Sequence, residues 1–190
     1  PQPGQCTRRS AAEWSHRDLA GVLRTILSDS EERNVFVIAH SMGGYVLSGA
    51  LRILISENPP LAARIAEVIL AAPDIDADVF RRDVVPALVR MGKPVTLYAS
   101  SEDAALQASK RFNGAPRAGD SGSGLIVEKG IETIDSTGID TSLLKHSYAS
   151  SVPRVLSDMF YLIRERLRAD RRYGLREVNS SIGRYWEFAR

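Results

Sequence analysis

Sulfur and imidazole are scarce in this chain, whose 190 residues include one cysteine, Cys6, and three histidines, His16, His40 and His146. A single thiol excludes an internal disulfide framework and a cysteine metal cluster. No apolar run reaches the ~18 residues that a membrane-spanning helix needs, so no transmembrane segment is expected. A large excess of either charge is missing too: 25 lysines and arginines against 23 acidic residues leave a net charge of +2. With no nucleic-acid-binding motif present, no nucleic-acid partner is expected. Nothing calls for a metal or another cofactor. No signal peptide is recognisable, but the chain opens on Pro1 rather than Met, so the compartment stays open. Hydrophobic residues, at 44%, suffice for the core of one domain.

What is present is informative. The run Val35-Phe36-Val37-Ile38-Ala39-His40 is an apolar strand that breaks at Ser41, and Met42-Gly43-Gly44-Tyr45 then leads into helical spacing through Val46, Leu47, Ala50, Leu51 and Leu54. This is the pattern of a nucleophile elbow, in which a Ser held in a strained turn between strand and helix requires small neighbours two residues to either side. Ala39 and Gly43 fill those places, Ala39 standing where Gly is usual.

The elbow predicts an order of nucleophile, acid, base along the chain. Only His146 lies downstream of Ser41, in Lys145-His146-Ser147-Tyr148 after the short strand Ile131-Glu132-Thr133-Ile134. It is the expected general base. His16 is expected on a helix surface, and His40 adjoins Ser41 with its ring directed away. For the acid, Asp103 follows the strand Pro94-Val95-Thr96-Leu97-Tyr98-Ala99, where a carboxylate reaches the crevice beyond the strand's C-terminal end. Glu102 and Asp103 both also suit a helix cap. Asp74 and Asp76, after the strand Val68-Ile69-Leu70, are the alternatives, and either also suits the N-cap of a helix over residues 77–91.

The segments Ala39-His40-Ser41-Met42-Gly43, Leu70-Ala71-Ala72-Pro73-Asp74-Ile75-Asp76-Ala77-Asp78-Val79-Phe80, residues 98–106 and His146-Ser147-Tyr148 together resemble a family of bacterial α/β-hydrolases of unknown function, filed among esterase- and lipase-like enzymes. The similarity spans residues 11–167. The resemblance implies a triad of Ser41, Asp103 and His146 and a reaction class; the chemistry of such a triad makes the backbone N–H of Met42 the expected oxyanion donor and a small-molecule ester the expected substrate.

The fold expected is α/β: an α/β-hydrolase-like parallel sheet flanked by helices and lacking the N-terminal strands. Helices alternate with short apolar strands at Val35, Val68, Val95 and Ile131, the order that builds a parallel sheet covered on both faces. Residues 1–9 read as a loop or disordered lead-in, residues 10–168 as a partial hydrolase domain and residues 169–190 as a basic, aromatic tail. In residues 10–27 the candidate core positions are Trp14, Leu19, Val22, Leu23, Ile26 and Leu27. Val79, Phe80, Val84, Val85, Leu88 and Val89 are candidates for the edge of an acyl pocket or for core.

Nothing before Val35 supplies the strands and His-Gly loop that usually carry a second oxyanion amide. The chain is therefore expected to be the C-terminal half to two-thirds of a hydrolase, prone to self-association through an exposed sheet edge. A non-catalytic remnant or interaction module is the alternative. Gly119-Asp120-Ser121-Gly122 resembles the nucleophile box of trypsin-like proteases, but those are all-β, and the stretch is expected to be a plain loop.

Overall fold

A computed structural model describes residues 3–29, 34–122, 124–139 and 154–189. Strand β1 (Val35–His40) and helix α2 (Met42–Glu57) flank Ser41, and the short α3 (Pro59–Ala62) leads to β2 (Ile65–Ala71). Strand β3 (Val95–Ala99), helix α6 (Ala104–Asn113) and β4 (Glu132–Asp135) follow. Among the described residues the strands form a six-stranded sheet in which β1, β2, β3 and β4 are parallel neighbours in chain order. All four C-terminal ends therefore emerge along one edge of the sheet, where the loops after them gather.

Residues 77–91, expected as one helix, form three joined pieces: α4 (Ala77–Val79), a π-helical turn (Phe80–Val84) and α5 (Val85–Arg90). Pro86 has no N–H to return to the carbonyl four residues back, so the helix widens through a π turn before it. Phe80, Val84, Val85 and Leu88 are buried in the core.

Helix α1 (Pro3–Asp29) begins well inside the stretch read as a lead-in, with Pro3 in its first turn, where a missing N–H costs nothing. Ala20, Leu23 and Leu27 of α1 are buried, with Leu19 packed beside them, whereas Trp14, Val22 and Ile26 are exposed, Trp14 at 78%. One stripe of the helix meets the body, and these three lie on another. His16 is half-buried rather than on the surface: its ring lies 5.0 Å from that of Tyr45, and a Cβ on Gly49 would fall 2.3 Å from its Cγ. Gly49 thus lets α1 and α2 cross closely.

The stretch read as a tail departs most from expectation. After α7 (Arg154–Glu165) and a 3₁₀ turn (Ala169–Arg171), β5 (Leu175–Ser180) and β6 (Gly183–Phe188) form an antiparallel hairpin, and β6 pairs in parallel with β4. Trp186 and Phe188, two apart on β6, enter the core beside Ile134 and Met159. This period-2 alternation across a two-residue turn is a hairpin signal that the abundance of arginine obscures.

Candidate active site

Strand β1 ends where its register does. Ser41 N–H still donates to the Ala71 carbonyl at 3.0 Å, one step beyond the ladder, and the backbone then turns sharply into α2. Ser41 takes φ 52° and ψ −126°, a sparsely populated combination for a residue with a side chain. Such strain costs about 1–3 kcal/mol and persists only when the surroundings over-determine it. Here they do: the Ser41 carbonyl accepts from Gly44 N–H at 3.0 Å and from Asp74 N–H at 3.1 Å. The Ser41 side chain makes no capping bond to α2. The first N–H groups of a helix lack acceptors within it, and that of Met42 is the first.

The glycine that the turn needs is Gly44. A Cβ there would sit 2.8 Å from Pro73 Cβ, whereas one on Gly43 would meet nothing within 4 Å. The close approach is to the β2–α4 loop, which local sequence around Ser41 does not reveal. That loop is itself strained, with Ala72 at φ 45°.

The carboxylates divide by what they hold. Asp74 Oδ1 accepts from Arg117 Nε at 2.6 Å and from Ser109 Oγ at 2.7 Å, while Arg117 Nη2 donates to the Asp74 carbonyl at 3.0 Å. Asp74 is thereby neutralised by a buried arginine. Asp76 Oδ1 caps α4 through Asp78 N–H and Val79 N–H. Asp103 Oδ1 caps α6 through Leu106 N–H at 2.9 Å, and among the described residues no cation pairs with it. Glu102 is no cap: its Oε2 accepts from Gly138 N–H at 3.2 Å, in the loop after β4. His146, the expected base, lies outside the described residues.

The stretch around Gly119-Asp120-Ser121-Gly122 is a buried strap rather than a plain loop. A Cβ on Gly119 would fall 2.4 Å from the Ala72 carbonyl carbon, so only glycine lets the strap lie against the end of β2. Gly119 N–H donates to the Pro73 carbonyl at 3.0 Å and its own carbonyl accepts from Ser100 N–H at 2.8 Å, filling the gap between the ends of β2 and β3. Lys110 Nζ meets buried Asp120 at 2.6 Å. Arg117, Ser109 and this strap escape sequence reading; the paired glycines were their one signal. Among the described residues no group of three or more His, Cys, Asp or Glu is set to hold a metal ion.

A mostly parallel sheet with a strained serine at the tip of a strand, entering a helix, is the frame of an α/β hydrolase. The chain matches the family described as alpha/beta hydrolase of unknown function (DUF900) over residues 4–166 and belongs to that family. No match is found among curated proteins or solved structures.

Proposed function

We propose that the chain is a serine hydrolase acting on small carboxylic esters. Ser41 attacks the acyl carbonyl while His146 takes its proton; Asp103 orients the imidazole and stabilises the imidazolium, and Met42 N–H donates to the oxyanion. Water then releases the acyl group from Ser41. The observation that carries this reading is the strained Ser41 backbone with a hydroxyl uncommitted to the helix cap. Asp103 is preferred as the acid because Asp74 is already paired with Arg117.

The test is labelling by a fluorophosphonate probe together with hydrolysis of a short p-nitrophenyl ester. Ser41→Ala and His146→Ala each abolish both, and Asp103→Asn lowers turnover by about 10³–10⁴. Ester hydrolysis undiminished in Ser41→Ala ends the serine reading; loss in Asp74→Asn or Asp76→Asn with Asp103→Asn unaffected moves the acid.

A second reading, an interaction module that keeps the elbow as scaffold, draws on β1. Among the described residues this strand pairs only with β2, and Ile38 on it is 49% exposed. Association through that edge without Ser41-dependent turnover supports it.

A further inference from the structure

Between the loop that bears Asp103 and the turn after β4 stands the Thr137 hydroxyl. Thr137 Oγ1 accepts from Ser101 N–H at 3.0 Å, lies 3.2 Å from Ser101 Oγ and lies 2.6 Å from Ser121 Oγ on the buried strap. A threonine hydroxyl has one proton to give and two lone pairs, and these three partners use all of them. The second tie runs the other way, from Gly138 N–H to Glu102 Oε2.

Each end of this clip is anchored. On the β4 side, Ser136 N–H and Oγ both donate to the Ala99 carbonyl, at 2.7 and 2.8 Å, and Thr137 N–H donates to Asp135 Oδ1 at 2.9 Å. On the β3 side, Gln107 Nε2 donates to the Ser101 carbonyl at 3.0 Å and Leu106 N–H to Asp103 Oδ1 at 2.9 Å. Ser101 stands two residues before Asp103, and Thr137 nine before His146. We propose that the Thr137 hydroxyl, backed by Glu102, is a positioning device that fixes the acid loop against the turn after β4, upstream of His146 in the chain.

The inference rests on the serine-hydrolase reading and adds residues that touch no substrate. Its chemical content is alignment: an acid held at a fixed distance favours the protonated imidazole, whereas a loosened one does not. Thr137 is exposed, so replacing it removes the hydroxyl bonds without opening a core.

The experiment measures the rate of fluorophosphonate labelling of Ser41 against pH on the full chain, with Thr137→Val, Thr137→Ser and Glu102→Ala beside it. Thr137→Val is expected to slow labelling about 10- to 100-fold, the scale of an ångström of misplacement. Its pH midpoint moves downward, because a less well-placed carboxylate holds the imidazole proton less well. Thr137→Ser retains the hydroxyl and restores rate and midpoint to near wild type. Glu102→Ala, which leaves the Thr137 bonds in place, shifts the midpoint the same way by less, and serves if Thr137→Val fails to fold. Unchanged midpoints in both variants, or equal losses in Thr137→Val and Thr137→Ser, overturn the proposal while leaving Ser41 labelling intact. A wild-type chain whose labelling is absent or survives Ser41→Ala overturns the serine reading itself, and this inference with it.

Discussion

The two faces of the sheet are made by the same strands, yet they are held by different physics. The face toward α1, α2 and α5 is largely hydrocarbon, with Val68, Leu70, Val95 and Leu97 packed among Leu51, Leu54, Phe80 and Leu88. The face toward α7 begins in the same way, with Ile69, Tyr98 and Ile134 against Val155, Met159 and Leu162. A row of polar groups then crosses it. Thr96 donates to Glu67 at 2.6 Å, Arg168 bridges Glu67 at 2.8 Å and Glu132 at 2.7 Å, and Arg172 meets Glu132 at 3.0 Å. Tyr98 donates to Asp158 at 2.6 Å, and Arg172 Nε stands 3.4 Å from the other Asp158 oxygen.

The contrast teaches what each kind of core specifies. A hydrocarbon face accepts any set of side chains of about the right volume. A buried charge demands its own partner, since removing one member strands the other. On the second face the partners come from the segment after α7, so the network pins that segment to the strands from which β6 continues the sheet. Burial pushes the Asp158 carboxyl above the usual carboxylate range, with Arg172 and the Tyr98 hydrogen bond opposing it. Burial, and then the Asp158 charge, drives the Tyr98 phenol up as well.

The contrast is broken hardest at Glu132, which accepts from Arg168, Arg172 and the Ala169 N–H. Glu132→Ala is expected to cost about 3–5 kcal/mol in urea unfolding, because buried Arg172 is left with only the 3.4 Å approach to Asp158 and Arg168 with only Glu67. On the hydrocarbon face Leu97→Ala, at a fully buried site, costs about 2–5 kcal/mol through the cavity it leaves. A loss below ~1 kcal/mol at Glu132 would mean that the polar row does not hold the segment. At the junction of elbow and β2, Gly44→Ala forces a methyl against Pro73 and costs about 1–3 kcal/mol. Gly43→Ala, with open space around it, is neutral or stabilising by up to ~1 kcal/mol through helix propensity. Thermal melts of the pair distinguish the two glycines.

Asp158 sharpens the comparison by pH. Its folded carboxyl binds a proton more tightly than in the unfolded chain, so its ionisation takes stability away as pH rises from the ordinary carboxylate range toward the folded value. Asp158→Asn, neutral throughout, therefore gains on wild type as pH rises across that window and matches it more closely below. Unfolding curves on either side of the window check the sign. The smallest effect on stability is expected at Ile38, whose side chain is half-exposed. Ile38→Lys changes stability by no more than about 0.5 kcal/mol, read from urea unfolding.

Much of the fold was legible because its signals are short-range. The four apolar strands and the break at Ser41 each occupy a handful of residues, and the order of helix and strand dictates a parallel sheet. The hairpin of β5 and β6 was not legible amid arginines, because Arg168 and Arg172 read as solvated charge until Glu67, Glu132 and Asp158 come beside them. In the site, Ser41 was legible from its neighbours. The role of each carboxylate was not, because capping and ion pairing depend on who arrives: Asp103 meets Leu106 N–H close by, but Asp74 meets an arginine 43 positions away.

The sequence by itself determined the four parallel strands, their order and the serine at the strand tip, because periodicity and turn chemistry act within a few residues. Only the tertiary structure decided which glycine the elbow needs, which aspartates are already engaged and where the basic C-terminal segment goes. Those outcomes hang on contacts such as Arg168 to Glu67, 101 positions apart. Such pairs form only after the intervening chain has closed, and no local pattern encodes which partner a buried charge will find.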